Sequence, residues 1–240
     1  YQRRKGWFWK TSFTHHYPIP QKPRHTVEKH LDALRRIGIT PNQLERNLTL
    51  IPGNDAEQFR EKVLEEHKAG SYILIHPTSR WLFKCWENRK FSALIDELSS
   101  KYSEHGIKII ITAAPSKNEL HMVEDILNNC GAKVIDLSGK LTLKQLAAFI
   151  EKAKLFIGVD SVPMHMASAF STPCIALFGP SNELEWGPKS NDSRIISSNH
   201  TCRPCGIDGC ASSKVSDCLS IISVEQVYTT CQKLMGNCEI

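Results

Sequence analysis

From residue 71 onward the chain alternates short, mostly apolar runs with longer stretches whose apolar residues recur every three or four positions. The runs cover 72–76, 107–112, 133–137, 155–159, 174–178 and 194–197. Mostly apolar runs of that length, alternating with amphipathic stretches, predict strands covered by helices on both faces, the condition of a parallel sheet. Between them, three groups keep helical spacing: Phe91, Leu94, Ile95, Leu98 and Tyr102; Leu120, Val123, Ile126 and Leu127; and Leu143, Leu146, Ala147 and Ile150. Strands alternating with helices predict an α/β domain built on a doubly wound parallel sheet.

The residues that start and stop these elements agree. Ser116 with Glu119 and Thr142 with Gln145 read as capping boxes, and Gly106 and Gly131 stand where left-handed C-caps belong. Ser223 with Gln226 opens a last helix carrying Val224, Val227, Tyr228, Cys231 and Leu234. Upstream, 26–37 predicts a helix with Val27, Leu31 and Leu34 inward and Gly38 at its end. Residues 39–70, with Pro41, Pro52 and Gly53, read as a connection followed by a polar helix over 56–68. There is no internal repeat and no low-complexity tract.

A length of 240 residues with 41% hydrophobic and 23% charged side chains excludes a disordered or fibrous chain. The apolar runs fall far short of the ~20 residues of a spanning helix, and no signal peptide opens the chain. The chain begins at Tyr1 rather than Met, so an N-terminal part is expected to be missing. Charge is uneven: residues 1–36 hold nine Lys and Arg against two acids, and the other 204 residues hold 21 basic and 23 acidic groups. This basic head, with Arg3, Arg4, Lys5 and Lys10 beside Trp7 and Trp9, suits either an anionic partner or membrane surface, or a solvated segment whose tryptophans pack on another domain. Nine cysteines is an odd count that favours a reducing compartment. Four of them cluster at Cys202, Cys205, Cys210 and Cys218, which suits either a structural zinc or reduced thiols in a loop.

In an open parallel sheet, ligands bind beyond the carboxyl ends of the strands. The loop after the first strand carries Thr78, Ser79 and Lys84, groups that suit a phosphate or, equally, an ordinary capped surface loop. After the second strand stands Glu119, able to bond a ribose diol or simply to complete its capping box. After the fourth come Asp160, Ser161, Val162, Pro163 and His165. Pro163 is tolerated only in a first helical turn, so a helix starting near Ser161 points free N–H groups above the sheet, where they attract a diphosphate; Asp160 or Ser161 equally suits plain N-capping, and His165 a satisfied, half-buried imidazole. A loop of Phe178, Gly179, Pro180 and Ser181, followed by Trp186 and Pro188, is placed to close over a base or sugar. No strand is followed by a dinucleotide fingerprint or a P-loop.

The series Asp160-Ser161-x-x-x-His165-x-Ala167, then Pro173-x-Ile175-Ala176-Leu177-Phe178-Gly179-Pro180 and Trp186-x-Pro188, resembles glycosyltransferase family 9, the ADP-heptose:lipopolysaccharide heptosyltransferases. The Arg80 to Trp86 run and the four cysteines resemble most the branch that adds the third heptose of the inner core. The resemblance spans essentially the whole chain. It implies a GT-B architecture: a complete C-terminal donor domain over 56–240, and over 1–55 the tail of an N-terminal Rossmann-like domain, against which the last helix, 223–235, is placed to pack. It implies that Thr78, Ser79 and Lys84 touch the donor diphosphate and that Glu119 holds the adenosine ribose. Asp160 would contact the heptose, the Ser161 and Val162 amides the phosphates, and His165 the diphosphate end. Many relatives carry Gly at the position of Val162. The catalytic base, an aspartate early in the N-terminal domain of relatives, has no match in residues 1–70, so it remains unassigned. No Asp-x-Asp pair is present, and Lys84 with the helix start is expected to neutralise the diphosphate without a divalent metal or other cofactor.

The implied partners are ADP-heptose and the lipopolysaccharide core, with peripheral contact to the anionic cytoplasmic face of the bacterial inner membrane through Arg3, Arg4, Lys5, Trp7, Trp9 and Lys10. Two rivals stay open: a sugar-nucleotide epimerase or hydrolase of the same shape, and a non-catalytic zinc or nucleic-acid module. The slightly acidic balance beyond residue 36 argues against a nucleic-acid partner.

Overall fold

The structure, a computed structural model, describes residues 6–14, 16–17 and 22–236. Its contacts divide the chain into two compact units, Tyr1–Asn47 and Leu48–Ile240.

The first unit holds α1 (Trp7–Thr11) and α2 (Thr26–Arg36). Gly38, at φ +86°, ends α2 as its position predicts. Arg24 and Arg35 reach Asp32 at 3.0 and 2.8 Å, while Arg35 and Arg46 reach Glu28, each at 2.7 Å.

In the second unit, α3 (Asn54–Glu66) begins two residues before the expected start, because Gly53 at φ +91° turns the chain there. Then follow β1 (Ser71–His76), α4 (Asn88–Tyr102), β2 (Ile107–Ile111), α5 (Lys117–Asn128), β3 (Val134–Asp136), α6 (Leu143–Lys152) and β4 (Leu155–Val159). They are followed by α7 (Val162–Phe170), β5 (Cys174–Phe178), the short α8 (Glu183–Trp186), β6 (Ser193–Ser197), the short α9 (Asp217–Ser220) and α10 (Val224–Met235). The six strands pair in parallel in the order β3-β2-β1-β4-β5-β6.

Strand side chains alternate between two cores. Ile73, Ile75, Ile109, Ile111, Leu155 and Ile157 meet Phe91, Leu94, Leu98, Ile126, Val227 and Cys231 on one face. Tyr72, Leu74, Ile110, Phe156, Cys174 and Phe178 meet Leu146, Phe149, Ile150 and Met164 on the other. Both faces are covered over β1, β4 and β5, which is why these strands read as near-continuous apolar runs, while β6 at the sheet edge stays partly exposed.

Of the expected caps, Thr142 with Gln145 and Ser223 with Gln226 form complete boxes. Ser116 accepts from the Glu119 N–H, but the Glu119 carboxylate is drawn elsewhere, so that box is half made. Gly106 is left-handed at φ +73°; Gly131 is not. The chain leaving α5 is held instead by the Asp96 carboxylate, which accepts from the N–H groups of Gly131 at 2.9 Å and Ala132 at 2.8 Å. No helix of the described residues is long and apolar enough to cross a membrane.

Candidate functional site

The strand order grows outward in both directions from the β1–β4 pair, so the loops leaving these two strands diverge and open a crevice at their carboxyl ends. The pair runs Ile73↔Leu155 to His76↔Gly158. A Cβ at Gly158 would lie 2.8 Å from the Phe156 ring and 3.1 Å from the His76 carbonyl, so the close approach here requires glycine.

Into this crevice the fold brings five of the residues singled out from the sequence. Lys84 donates from Nζ to Asp160 Oδ2 at 2.6 Å, with side-chain exposures of 21% and 7%. Ser79, buried, sends its hydroxyl to the Asp160 carbonyl at 3.4 Å. Thr78 is fully buried and donates to Glu119 Oε2 at 2.6 Å; Glu119 is itself buried and also accepts from Ser116 Oγ at 3.1 Å and the Ala114 N–H at 3.4 Å. The Glu119 carboxylate therefore ties the β1 and β2 loops together, which explains the unfinished capping box.

Ser161 is the N-cap of α7, in extended conformation, and Pro163 occupies the first turn as its chemistry demands. The Ser161 hydroxyl does not cap; it donates to the Val159 carbonyl at 3.3 Å. The head of α7 thus carries its positive dipole end without a side-chain acceptor of its own. Val162 is 60% exposed at that head, and His165 sits half-buried one turn along.

Two residues of the site were not singled out from the sequence as site groups. His76, the last residue of β1, is buried with Nδ1 2.9 Å from Thr112 Oγ1. Burial drives its pKa down to about 4, against a smaller upward pull from the Glu119 charge. A histidine closing an otherwise apolar strand just before Pro77 is the signal that could have found it. Cys85 accepts the Ser79 N–H at 3.3 Å.

The remaining expectations lie away from the crevice. Trp7 and Lys10 are exposed on α1 and Trp9 is half-buried, while Arg3, Arg4 and Lys5 lie outside the described residues. The four-cysteine metal site is not formed: among the described residues no group of three or more His, Cys, Asp or Glu side chains is placed to hold a metal ion. Desolvation, then the neighbouring Cys205 and Cys210, raises the Cys202 pKa, while its Sγ meets His200 Nδ1 at 3.2 Å and Cys218 is buried on α9. The segment is braced by Arg203, which donates to the carbonyls of Gly179 at 2.6 Å and Ser198 at 2.8 Å and to Glu183 Oε2 at 3.0 Å.

The profile of glycosyltransferase family 9 (heptosyltransferase) matches residues 1–216. Lipopolysaccharide heptosyltransferase 3 of Escherichia coli is 38% identical over 194 residues, 80% of this chain and 55% of that protein. Its counterpart in strain K12 is 36% identical over 241 residues, 98% of this chain and 66% of that protein. The chain therefore spans between about half and two thirds of the length of these relatives. Among solved structures, a family 9 glycosyl transferase from Veillonella parvula superposes with a TM-score of 0.78 at 22% identity, over 96% of this chain and 66% of that one. The E. coli heptosyltransferase WaaC with ADP gives 0.64 at 19%, over 92% and 60%. These likenesses show the fold to be that of the GT-B glycosyltransferases. With a family profile matched along nine tenths of its length and a sheet of the same build, the chain belongs to glycosyltransferase family 9.

Proposed function

We propose that the crevice binds the diphosphate of ADP-heptose and that the whole protein transfers the heptose, with inversion, to the lipopolysaccharide inner core. The observation that carries this reading is the Lys84 ammonium, 2.6 Å from Asp160, at the head of a helix that lacks a side-chain cap. A cation and a helix N-terminus converging on one point form an anion site. The names of the relatives supply the sugar and the acceptor, and related heptosyltransferases have been solved with ADP and with ADP-2-deoxy-2-fluoro heptose.

On this reading Lys84, the amides of Ser161 and Val162, and His165 take the phosphates, with Ser79 fixing the loop beneath them. Asp160, released from Lys84 as the phosphates arrive, accepts from heptose hydroxyls. Glu119, held by Thr78, takes the ribose. The acceptor oxygen attacks the anomeric carbon, the bond to the phosphate oxygen breaks, and Lys84 with the α7 head stabilises the charge gathering on departing ADP. The base that receives the acceptor proton is assigned to none of these residues. We assign residues 56–240 to donor binding and 1–55 to the acceptor side, where Trp7, Trp9 and Lys10, with Arg3, Arg4 and Lys5, meet the anionic cytoplasmic membrane surface.

Calorimetric titration of ADP tests the donor site. Binding is expected to be unchanged by EDTA and to weaken roughly 10- to 100-fold in Lys84→Met, the loss of a charged hydrogen bond. Affinity that disappears with EDTA would refute metal-free binding, and a wild-type chain that takes up no ADP would refute the donor reading.

A further inference from the structure

Lys84 lies in a short loop fastened at several points. The backbone closes one turn there, Lys84 N–H to the Trp81 carbonyl and Cys85 N–H to the Leu82 carbonyl, both at 2.9 Å. The next anchors are on either side of the lysine. Ser216 donates its hydroxyl to the Phe83 carbonyl at 2.7 Å, and Trp86, 1% exposed, donates its indole N–H to the Ile222 carbonyl at 3.1 Å. Neither anchor connects the lysine to Ser79, on the strand side of the loop. That connection is made by the Trp81 N–H, which donates to Ser79 Oγ at a long 3.4 Å, and by sulfur: the Ser79 N–H points at Cys85 Sγ, 3.3 Å away, and the thiol lies 3.8 Å from the Ser79 carbonyl and 3.9 Å from that of Trp81.

We propose that Cys85 is a positioning residue for donor binding: its sulfur closes residues 79–85 into a ring that holds the Lys84 ammonium over Asp160. This rests on the diphosphate reading of the crevice. A buried N–H left without an acceptor is unfavourable, so removing the sulfur lets the Ser79 amide, and with it the loop, find another arrangement. Burial raises the Cys85 pKa to about 12, so at neutral pH the group is a thiol that accepts from Ser79 and donates to a carbonyl. It acts as a clasp and not as a nucleophile. The reach of sulfur suits the gap, and a serine hydroxyl, shorter but a better acceptor, preserves the same pattern of bonds.

The test compares the full wild-type chain with Cys85→Ala and Cys85→Ser by ADP titration, thermal midpoint and amide hydrogen exchange at Ser79. Cys85→Ala is expected to weaken ADP binding by about tenfold, to speed exchange at Ser79, and to leave the midpoint within ~2 °C of wild type; Cys85→Ser should recover affinity to within about threefold. ADP bound by Cys85→Ala as tightly as by wild type would overturn the proposal. So would equal losses in both variants that follow a lowered midpoint, the pattern of a purely structural defect. If wild type binds no ADP, the donor reading fails alone. Faster Ser79 exchange in Cys85→Ala than in wild type then still supports the clasp, and equal exchange refutes it.

Discussion

His76 shows how one buried side chain links the site to pH. Its imidazole faces Thr112 and lies near Glu119, in a place where burial opposes the charged form. The unfolded chain accepts a proton below its ordinary value of 6.5, whereas the folded chain declines it until about 4. The contribution to stability is therefore complete above 6.5 and is lost as pH falls toward 4. Linkage puts the loss at about 2 kcal/mol between pH 7 and pH 5. Urea unfolding midpoints measured across that range should fall for wild type and fall less for His76→Gln; an identical slope in the variant would show that another group is responsible. Five residues of the candidate site could be singled out from sequence because strand ends define where ligands sit: Thr78, Ser79, Lys84, Glu119 and Asp160 all follow apolar runs. Their partners were not. Lys84 finds Asp160 76 residues away, and Thr78 finds Glu119 across 41, pairings set by sheet register that no local pattern carries.

Among elements, the strands and main helices could be read because burial on two faces leaves an unbroken apolar run and burial on one leaves a period of 3.6. What escaped was the chain between β6 and α10, where α9 and a 3₁₀ turn at Cys210–Ser212 are too short to show a period. Four cysteines drew the reading toward metal there, while the arginine that braces the segment, Arg203, gave no signal of its own. Close packing in this region has a measurable consequence at Gly179, just beyond β5. A Cβ on Gly179 would stand 2.7 Å from both Cγ and Cδ1 of Leu219 on α9. Gly179→Ala is expected to lower stability by about 1–3 kcal/mol through overpacking. Combining it with Leu219→Ala should cost less than the sum of the two single changes in a double-mutant cycle. Simple additivity would mean that the two positions do not collide.

For the whole molecule, charge is divided as the sequence suggested. In the first unit Arg24, Arg35 and Arg46 are tied to Glu28 and Asp32, and the exposed Trp7, Phe8 and Lys10 are gathered on α1. Each cation near an anionic leaflet is worth about 1 kcal/mol and is screened by salt. The chain is expected to sediment with phosphatidylglycerol vesicles at low salt, and much less with neutral vesicles. A Trp7→Ala, Lys10→Glu variant should bind severalfold less; equal sedimentation of variant and wild type would end the membrane proposal. In the second unit, the two halves of the crevice belong to separate βαβ halves of the sheet, which meet at the β1–β4 pairing. A slip of one residue at that seam would turn every β4 side chain to the opposite core and carry Asp160 away from Lys84. Chimeras that exchange one half for that of a relative should therefore inherit a working crevice only when the four matched positions, Ile73↔Leu155 to His76↔Gly158, are transplanted with their register intact.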